Sequence, residues 1–193
     1  MNRYLDVKIK PDAEMPENWL LNKVYTKLHK AIFDLLATDI GISFPQAKIK
    51  LGCIIRIHST QKKLQQLQSL NWLGGLSSYC MVSEILFVPN NVKGYQTISR
   101  IRQNMSITRM QKKIAHQKSK GYLKMDDNIQ AYEKQYKVKM FKTGLSNPYL
   151  ELQSTSTGNK YRLYINFGKL QEQSVDGKFN RFGLSKVATV PIF

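Results

Sequence analysis

The sequence predicts an α+β protein of two domains. An N-terminal ferredoxin-like βαββαβ domain is expected over residues 1–93, and a smaller C-terminal α/β domain carrying a basic helix over residues 94–193. Hydrophobic periodicity in the first half alternates between that of strands and that of helices, in the order of a split βαβ unit. A length of 193 residues suits two half-size domains. The charge composition also changes near the proposed boundary, because no acidic residue occurs between Glu84 and Asp126.

The first-half elements follow from spacing and from the residues that end each run. Residues 4–10 alternate apolar and polar side chains and predict a strand, which Pro11 ends. Residues 17–36 carry apolar side chains every three or four positions and predict the most regular helix of the chain. Strands are then expected at residues 40–44 and 51–58, a second helix at 61–73 and a strongly apolar strand at 79–88. Cys53 and Cys80 lie inside the apolar runs, which predicts buried, inert thiols.

The second half is organised around its cations. Ser106 or Thr108 could cap a helix that runs to about Lys120, with Met110 and Ile114 facing a core. The opposite face of this helix is expected to carry Arg109, Lys112, Lys113 and His116. Charge runs are usually solvated surface, but such a surface normally mixes signs, since like charges one turn apart repel. A helix face that carries only positive charges is better explained by a polyanionic partner.

The overall charge agrees with a nucleic-acid partner. The chain has 30 Lys and Arg against 13 Asp and Glu, a formal charge of +17. Such a surface attracts a phosphate backbone and gains affinity by counterion release. No apolar run approaches 18 residues and no secretory or lipidation signal is recognised, so we expect no membrane partner and a cytoplasmic location.

Histidine is the candidate for chemistry. His29, His58 and His116 are the only histidines, and no HExxH motif, paired carboxylates or phosphate-binding loop occurs, so neither a metal nor another cofactor is expected. RNA can be cut without a metal because each 2′-hydroxyl is a built-in nucleophile that needs a base. An imidazole ordinarily titrates near pH 6.5, which suits that task. On pattern alone, an ordinary helix histidine is the favoured interpretation of His29.

A cluster of hydroxyls lies in QSTSTGNKYRLYIN, residues 153–166. The Ser and Thr residues before Gly158 predict a turn, and Tyr161, Leu163 and Ile165 alternate as in a strand. A surface hairpin loop is the structural interpretation. Small hydroxyls beside a glycine also suit contacts to a phosphate or a 2′-hydroxyl, and Tyr161 could stack on a base.

Several strings in this order resemble the type I-F (Csy) family of CRISPR-associated repeat-processing endoribonucleases. They are YLDVKIKPDAE at the start, TKLHKAI around His29, IGISFP, SRIR opening a basic helix, STSTGNKYRLYI, and FGLSK with the terminal VPIF. Each string alone is weak, but their order is specific. The resemblance implies a ferredoxin-like domain and a second domain whose basic helix enters the major groove of a short RNA hairpin.

The resemblance also implies roles for particular residues. His29 matches the catalytic histidine that acts as base, and Ser154 the catalytic serine that holds the 2′-hydroxyl, with Phe182 and Ser156 as supporting residues. Arg100 matches an arginine that reads a base near the foot of the stem. Tyr161 replaces a phenylalanine that stacks near the cleavage site. The other expected RNA contacts are Arg102, Arg109, Lys112, Lys113, His116 and Lys120.

Three departures from the family pattern affect these expectations. Phe182 stands where the best-known pattern has tyrosine, so a phenolic hydroxyl that would orient His29 is lost or supplied elsewhere. Arg102 stands where a glutamine would read adenine. The helix face carries more lysine than arginine, and lysine contacts phosphate as a point charge rather than a planar fork.

The expected function is metal-independent cleavage of CRISPR precursor RNA at the base of the repeat hairpin by 2′-hydroxyl attack, leaving a 2′,3′-cyclic phosphate and a 5′-hydroxyl. The protein would retain the mature guide RNA as a monomer and join other subunits of a type I-F interference complex. An alternative is a catalytically inactive hairpin-binding subunit of a guide-RNA ribonucleoprotein, and a third hypothesis is a basic DNA-binding or ribosome-associated protein.

Overall fold

The computed structural model describes residues 1–102, 105–122, 126–142, 146–153 and 158–193. The first elements are β1 (Arg3–Ile9), α1 (Glu17–Asp34), β2 (Gly41–Ser43), β3 (Ile54–Ser59), α2 (Gln61–Ser69), a 3₁₀ helix (Gly74–Tyr79), β4 (Cys80–Val82) and β5 (Leu86–Phe87). They are followed by β6 (Gly94–Gln96), β7 (Ile98–Ile101), α3 (Ile107–Ser119), α4 (Asp126–Met140), β8 (Tyr149–Gln153), β9 (Lys160–Phe167) and β10 (Val190–Ile192). The predicted α+β class is confirmed as helices combined with antiparallel sheets.

The largest sheet has the strand order β2-β3-β1-β4, with β5 also paired to β1. Its β1–β3 register pairs Leu5 with Ile57 and Val7 with Ile55, and all four side chains are buried. Because side chains alternate across a strand, this register places one apolar face of both strands in the same core. The buried side chains of α1, among them Leu28 and Ile32, belong to that core.

Three sequence predictions are wrong. The strand predicted over residues 79–88 is two short strands, and its side chains at Met81 and Phe87 are 59% and 66% exposed. The break lies at Ser83, whose hydroxyl accepts a hydrogen bond from the Asp6 amide while its own amide donates to the Asp6 carbonyl. The SRIR string does not open the basic helix either, since Ile98–Ile101 is a strand and the helix begins at Ile107. Cys80 is buried as expected, whereas Cys53 is only half-buried.

The chain divides into two compact units. One comprises Met1–Arg100 with Pro148–Phe193, and the other comprises Ile101–Asn147. The first holds β8, β9 and β10 as well as the N-terminal sheet, whereas the second holds α3 and α4. The predicted domain boundary near residue 93 stays a prediction. Within the described ranges, no helix is both long and apolar enough to cross a membrane.

Candidate nucleic-acid interface and active site

Helix α1 presents two functional side chains one turn apart. It starts directly after Pro16, whose fixed backbone angle suits a helix start, and its first turn carries Glu17. Tyr25 and His29 are four residues apart, so they lie on one face of the helix. Tyr25 is fully buried, whereas His29 is half-buried. The helix therefore places the Tyr25 ring in the core and leaves the His29 ring partly accessible.

Both rings meet a tight turn near the C-terminus. The Asn180 side-chain oxygen accepts hydrogen bonds from the amides of Phe182 (2.8 Å) and Leu184 (3.3 Å). Gly183 has a φ of +68°, a left-handed conformation that costs other residues free energy. Its carbonyl accepts a hydrogen bond of 2.9 Å from the Ile42 amide, which ties the turn to β2.

His29 is fixed by two contacts with this turn. Its Nδ1 lies 2.7 Å from the Arg181 carbonyl oxygen, and its ring stacks on Phe182 with centroids 4.0 Å apart and planes 6° from parallel. A carbonyl can only accept, so Nδ1 carries the proton and donates it. Nε2 is therefore the nitrogen of the neutral ring that can accept a proton.

Tyr25 forms a hydrogen bond with the next main-chain carbonyl of the turn, that of Phe182. Its hydroxyl donates a hydrogen bond of 2.8 Å to the Phe182 carbonyl oxygen. Burial raises the pKa of Tyr25 far above its ordinary value, Tyr161 raises it further and Arg100 acts in the opposite direction. The phenol therefore stays protonated and remains a donor. Tyr25 and His29 thus form hydrogen bonds with two successive carbonyls of the turn, those of Phe182 and Arg181. The group that orients His29 is therefore a main-chain acceptor.

An arginine and a tyrosine complete the cluster. Arg100 on β7 places its guanidinium carbon 5.7 Å from the ring centroid of Tyr161 and 5.8 Å from that of Phe182. Tyr161 lies on β9, the strand next to β7. The Arg100 Nε is buried and has no hydrogen-bond partner in the part of the chain that the structure describes. A half-buried cation whose Nε donor has no partner among the described residues, close to the ring that stacks on His29, favours an anionic ligand.

The predicted site residues fall into three groups. The structure brings together His29, Phe182, Arg100 and Tyr161. Ser154 and Ser156 lie outside the described residues. The remaining predicted RNA contacts, all exposed, belong to the other compact unit: Arg102, Arg109, Lys112, Lys113, His116 and Lys120.

The basic helix has the predicted architecture. The Ser106 hydroxyl accepts a hydrogen bond of 3.2 Å from the Arg109 amide, which identifies Ser106 rather than Thr108 as the cap. Met110 and Ile114 are buried in a small core with Tyr136 and Met140 of α4. The predicted cationic face of α3 is exposed and has no acidic residue in its first turn.

Sequence reasoning missed three residues of the site: Tyr25, Asn180 and Arg181. Tyr25 had a usable signal, because it lies four residues before His29 on a helix that the sequence predicts. Arg181 had none, since its main-chain carbonyl is the group that contacts His29. Among the described residues, no group of three or more His, Cys, Asp or Glu is placed to hold a metal ion.

Comparison with known proteins identifies relatives over the whole chain. The model of the family described as CRISPR-associated protein (Cas_Csy4) matches residues 4–193. A protein of Escherichia coli (strain UTI89 / UPEC), named CRISPR-associated endonuclease Cas6/Csy4, is 31% identical over 193 residues, covering 100% of both chains. A protein of Pseudomonas aeruginosa (strain UCBPP-PA14) with the same name is 30% identical over 196 residues, again covering 100% of both chains.

The histidine site, the basic surface and the names of these relatives define the class of protein as an endonuclease. The chain belongs to the Cas_Csy4 family of CRISPR-associated proteins, as the order of its sequence motifs predicted.

Proposed function

We propose that this chain is a metal-independent endoribonuclease that cleaves CRISPR precursor RNA at the base of the repeat hairpin. The observation that carries the proposal is the fixed His29 ring, whose Nδ1 donates to the Arg181 carbonyl and whose Nε2 is thereby the basic nitrogen. The relatives named as CRISPR-associated endonucleases support the class of substrate. The Arg100 Nε, which has no hydrogen-bond partner among the described residues, supports an anionic ligand near Phe182 and its stacked histidine.

In the proposed reaction, Nε2 of His29 takes the proton of the 2′-hydroxyl before the scissile phosphate. The 2′-oxygen then bonds to phosphorus while the bond from phosphorus to the 5′-oxygen breaks, and the departing oxygen gains a proton. The products are a 2′,3′-cyclic phosphate and a 5′-hydroxyl. General base catalysis of this kind contributes about 10²- to 10⁴-fold. Ser154, which lies outside the described residues, is proposed to hold the 2′-hydroxyl, with Ser156 in support.

The recognition of the hairpin is proposed to combine two kinds of contact. Arg109, Lys112, Lys113, His116 and Lys120 would contact the stem from α3, chiefly at phosphates, together with Arg102. Arg100 would read a base at the foot of the stem with its guanidinium fork, and Tyr161 would stack on a nucleotide beside it. The position of Arg100 near Phe182 and its stacked histidine supports that placement.

The same proposal extends to architecture and partners. A ferredoxin-like arrangement of the N-terminal region is supported by the antiparallel order β2-β3-β1-β4 and by the two helices that separate its strands. The protein would keep its cleaved guide RNA as a monomer and bind other subunits of a type I-F interference complex. The formal charge of +17 supports tight retention of the RNA product.

The test uses the repeat RNA encoded beside the gene. His29→Ala is expected to abolish cleavage while the Kd for the RNA stays within a few-fold, because the ring supplies a base rather than affinity. A single 2′-deoxy sugar before the scissile phosphate should have the same effect, and wild-type protein treated with EDTA should still cleave. Cleavage that survives either the His29 or the 2′-deoxy change would refute the mechanism.

The alternative is an inactive subunit that only holds the hairpin, and it is favoured by one observation, the phenylalanine at position 182. Tight hairpin binding by the wild type without any cyclic-phosphate product would support it. The contact between His29 and the Arg181 carbonyl argues against it, because that contact gives the ring an orientation without a phenolic hydroxyl. If duplex DNA competes as well as the hairpin, a general nucleic-acid-binding protein is indicated instead.

A further inference from the structure

The outer face of α1 carries an aromatic and basic stripe that the proposed reaction does not use. We define the α1 stripe as Trp19, Lys23, Lys30 and Phe33. At 100° per residue these four positions fall within about 80° of the helix circumference, and His29 lies about 40° beyond the Phe33 side of that arc. They extend along about 21 Å of helix. Trp19 is 45% and Phe33 42% exposed, and both lysines are exposed.

Each aromatic ring of the stripe has a cation beside it. The Lys23 Nζ lies 5.0 Å from the centroid of the Trp19 ring, and the Arg181 guanidinium carbon lies 4.3 Å from that of the Phe33 ring. No acidic residue occurs between Glu17 and Asp34 on this helix. Among the residues that the structure describes, neither Lys23 nor Lys30 forms an ion pair. Exposed rings alternating with unneutralised cations are the arrangement that binds single-stranded nucleic acid.

The stripe is connected to the active site through one residue. Arg181 accepts the hydrogen bond of His29 with its carbonyl and covers Phe33 with its side chain. A strand whose scissile phosphate lies at His29 therefore has the stripe directly next to it. In the function proposed above, on which this step rests, the hairpin before the scissile phosphate is held by Arg100 and α3. The strand on the other side of that phosphate has no contact assigned to it.

We propose that the α1 stripe binds the single-stranded RNA that follows the scissile phosphate on its 3′ side. The rings would stack on bases without reading their identity, and the lysines would neutralise the phosphates between them. Such binding holds the uncleaved precursor in register and is lost from the hairpin product when the 3′ strand leaves. It therefore affects the affinity for the uncleaved precursor but not the retention of the cleaved guide RNA.

The test compares two substrates made from the same repeat hairpin. One ends a single nucleotide beyond the scissile phosphate, and the other continues for about ten unpaired uridines. In single-turnover cleavage with enzyme in excess, the wild type is expected to reach half its maximal rate at an enzyme concentration about ten-fold lower for the extended RNA, as expected for one base stacked on an aromatic ring. The double variant Trp19→Ala, Phe33→Ala should reduce this ratio to about two-fold or less. Phe87→Ala, which removes an exposed ring also covered by an arginine but outside α1, should keep the ratio.

A binding measurement separates this inference from the proposed function. Both RNAs are prepared with a 2′-deoxy sugar before the scissile phosphate, and the ratio of their Kd values is measured for the same proteins. If the wild type cleaves neither all-ribose RNA, yet binds the extended 2′-deoxy RNA more tightly through Trp19 and Phe33, the nuclease proposal fails and the assignment of the stripe to the flank is supported. If the wild type cleaves and binds both RNAs equally well, or the ratio survives the double variant, the stripe does not bind the flank.

The lysines provide an independent check. Lys23→Gln should lower the salt dependence of the Kd for the extended RNA by about one phosphate contact relative to the short RNA. Lys62→Gln on α2, an exposed lysine away from the stripe, should leave the difference between the two RNAs as it is in the wild type. An equal effect of the two substitutions would show a general charge effect and would overturn the assignment of Lys23 to the flank.

Discussion

Replacing Gly183 by alanine tests whether the C-terminal turn positions His29. Gly183 has a φ of +68°, and a Cβ there would lie 2.5 Å from the Cδ1 atom of Ile42. The left-handed conformation costs an alanine about 1–2 kcal/mol, and the overpacking adds about 1–3 kcal/mol. We expect a loss of about 2–5 kcal/mol in the free energy of unfolding. Relief of the clash would also move the Arg181 carbonyl, and a misplacement of about 1 Å can lower the rate about 10²-fold.

Gly74→Ala is the matched control. Gly74 also has a positive φ, +52°, but a Cβ there meets no atom within 4 Å, so only the conformational cost of about 1–2 kcal/mol remains. Urea unfolding and the single-turnover cleavage rate at saturating enzyme should be measured for both variants. Gly74→Ala should lose stability without losing cleavage. A Gly183→Ala protein that is destabilised yet cleaves at the wild-type rate would refute the positioning role of the turn.

Three further predictions concern other parts of the site and the core. Tyr25→Phe should lower the cleavage rate and destabilise the protein by about 1–3 kcal/mol, because it leaves the partly buried Phe182 carbonyl without this hydrogen bond; a rate unchanged after correction for unfolded protein would contradict this. Lys112→Gln with Lys113→Gln should weaken binding to every RNA and lower the salt slope by about one to two, whereas Arg100→Ala should relax discrimination at one base pair by about 1–3 kcal/mol; identical behaviour would contradict the division of roles. Burial lowers the pKa of His58 from 6.5 to about 3, with Arg56 adding to the shift. Between these values the unfolded chain binds the extra proton, so the free energy of unfolding should fall by a few kcal/mol as the pH drops from about 6.5 to 3. The urea midpoint of His58→Gln should show a weaker pH dependence.

Local signals of the sequence were sufficient to predict α1, α2 and α3, but α4 was not predicted. The 3.6-residue periodicity of α1 placed His29 on a helix beside a core face, and the Ser106 hydroxyl marked the start of α3. These features depend on side chains close together in the chain. The order of the motifs also predicted the family. The catalytic role of His29 remains a proposal, since nothing in the pattern distinguishes a base from a surface histidine.

Contacts between residues far apart in the chain could not be predicted from the local patterns that predicted the helices. The group that orients His29 is a main-chain carbonyl 152 residues away, and every residue possesses such a carbonyl. The strand predicted over residues 79–88 is interrupted because Ser83 satisfies the Asp6 main chain, a pairing that apolar composition does not report. SRIR was described as opening the basic helix only because of the family resemblance, whereas the local capping signal already pointed to Ser106 or Thr108.

The chain leaves its larger compact unit at Arg100 and returns at Pro148, at the ends of two strands that both flank β9. Both junctions therefore fall at strands that pair with the same neighbour, so Ile101–Asn147 is a continuous insertion between two adjoining parts of one sheet. If the proposed function is correct, substitutions in α3 and α4 would alter the preference for a hairpin without changing His29 or its contact with the Arg181 carbonyl, which belong to the other unit.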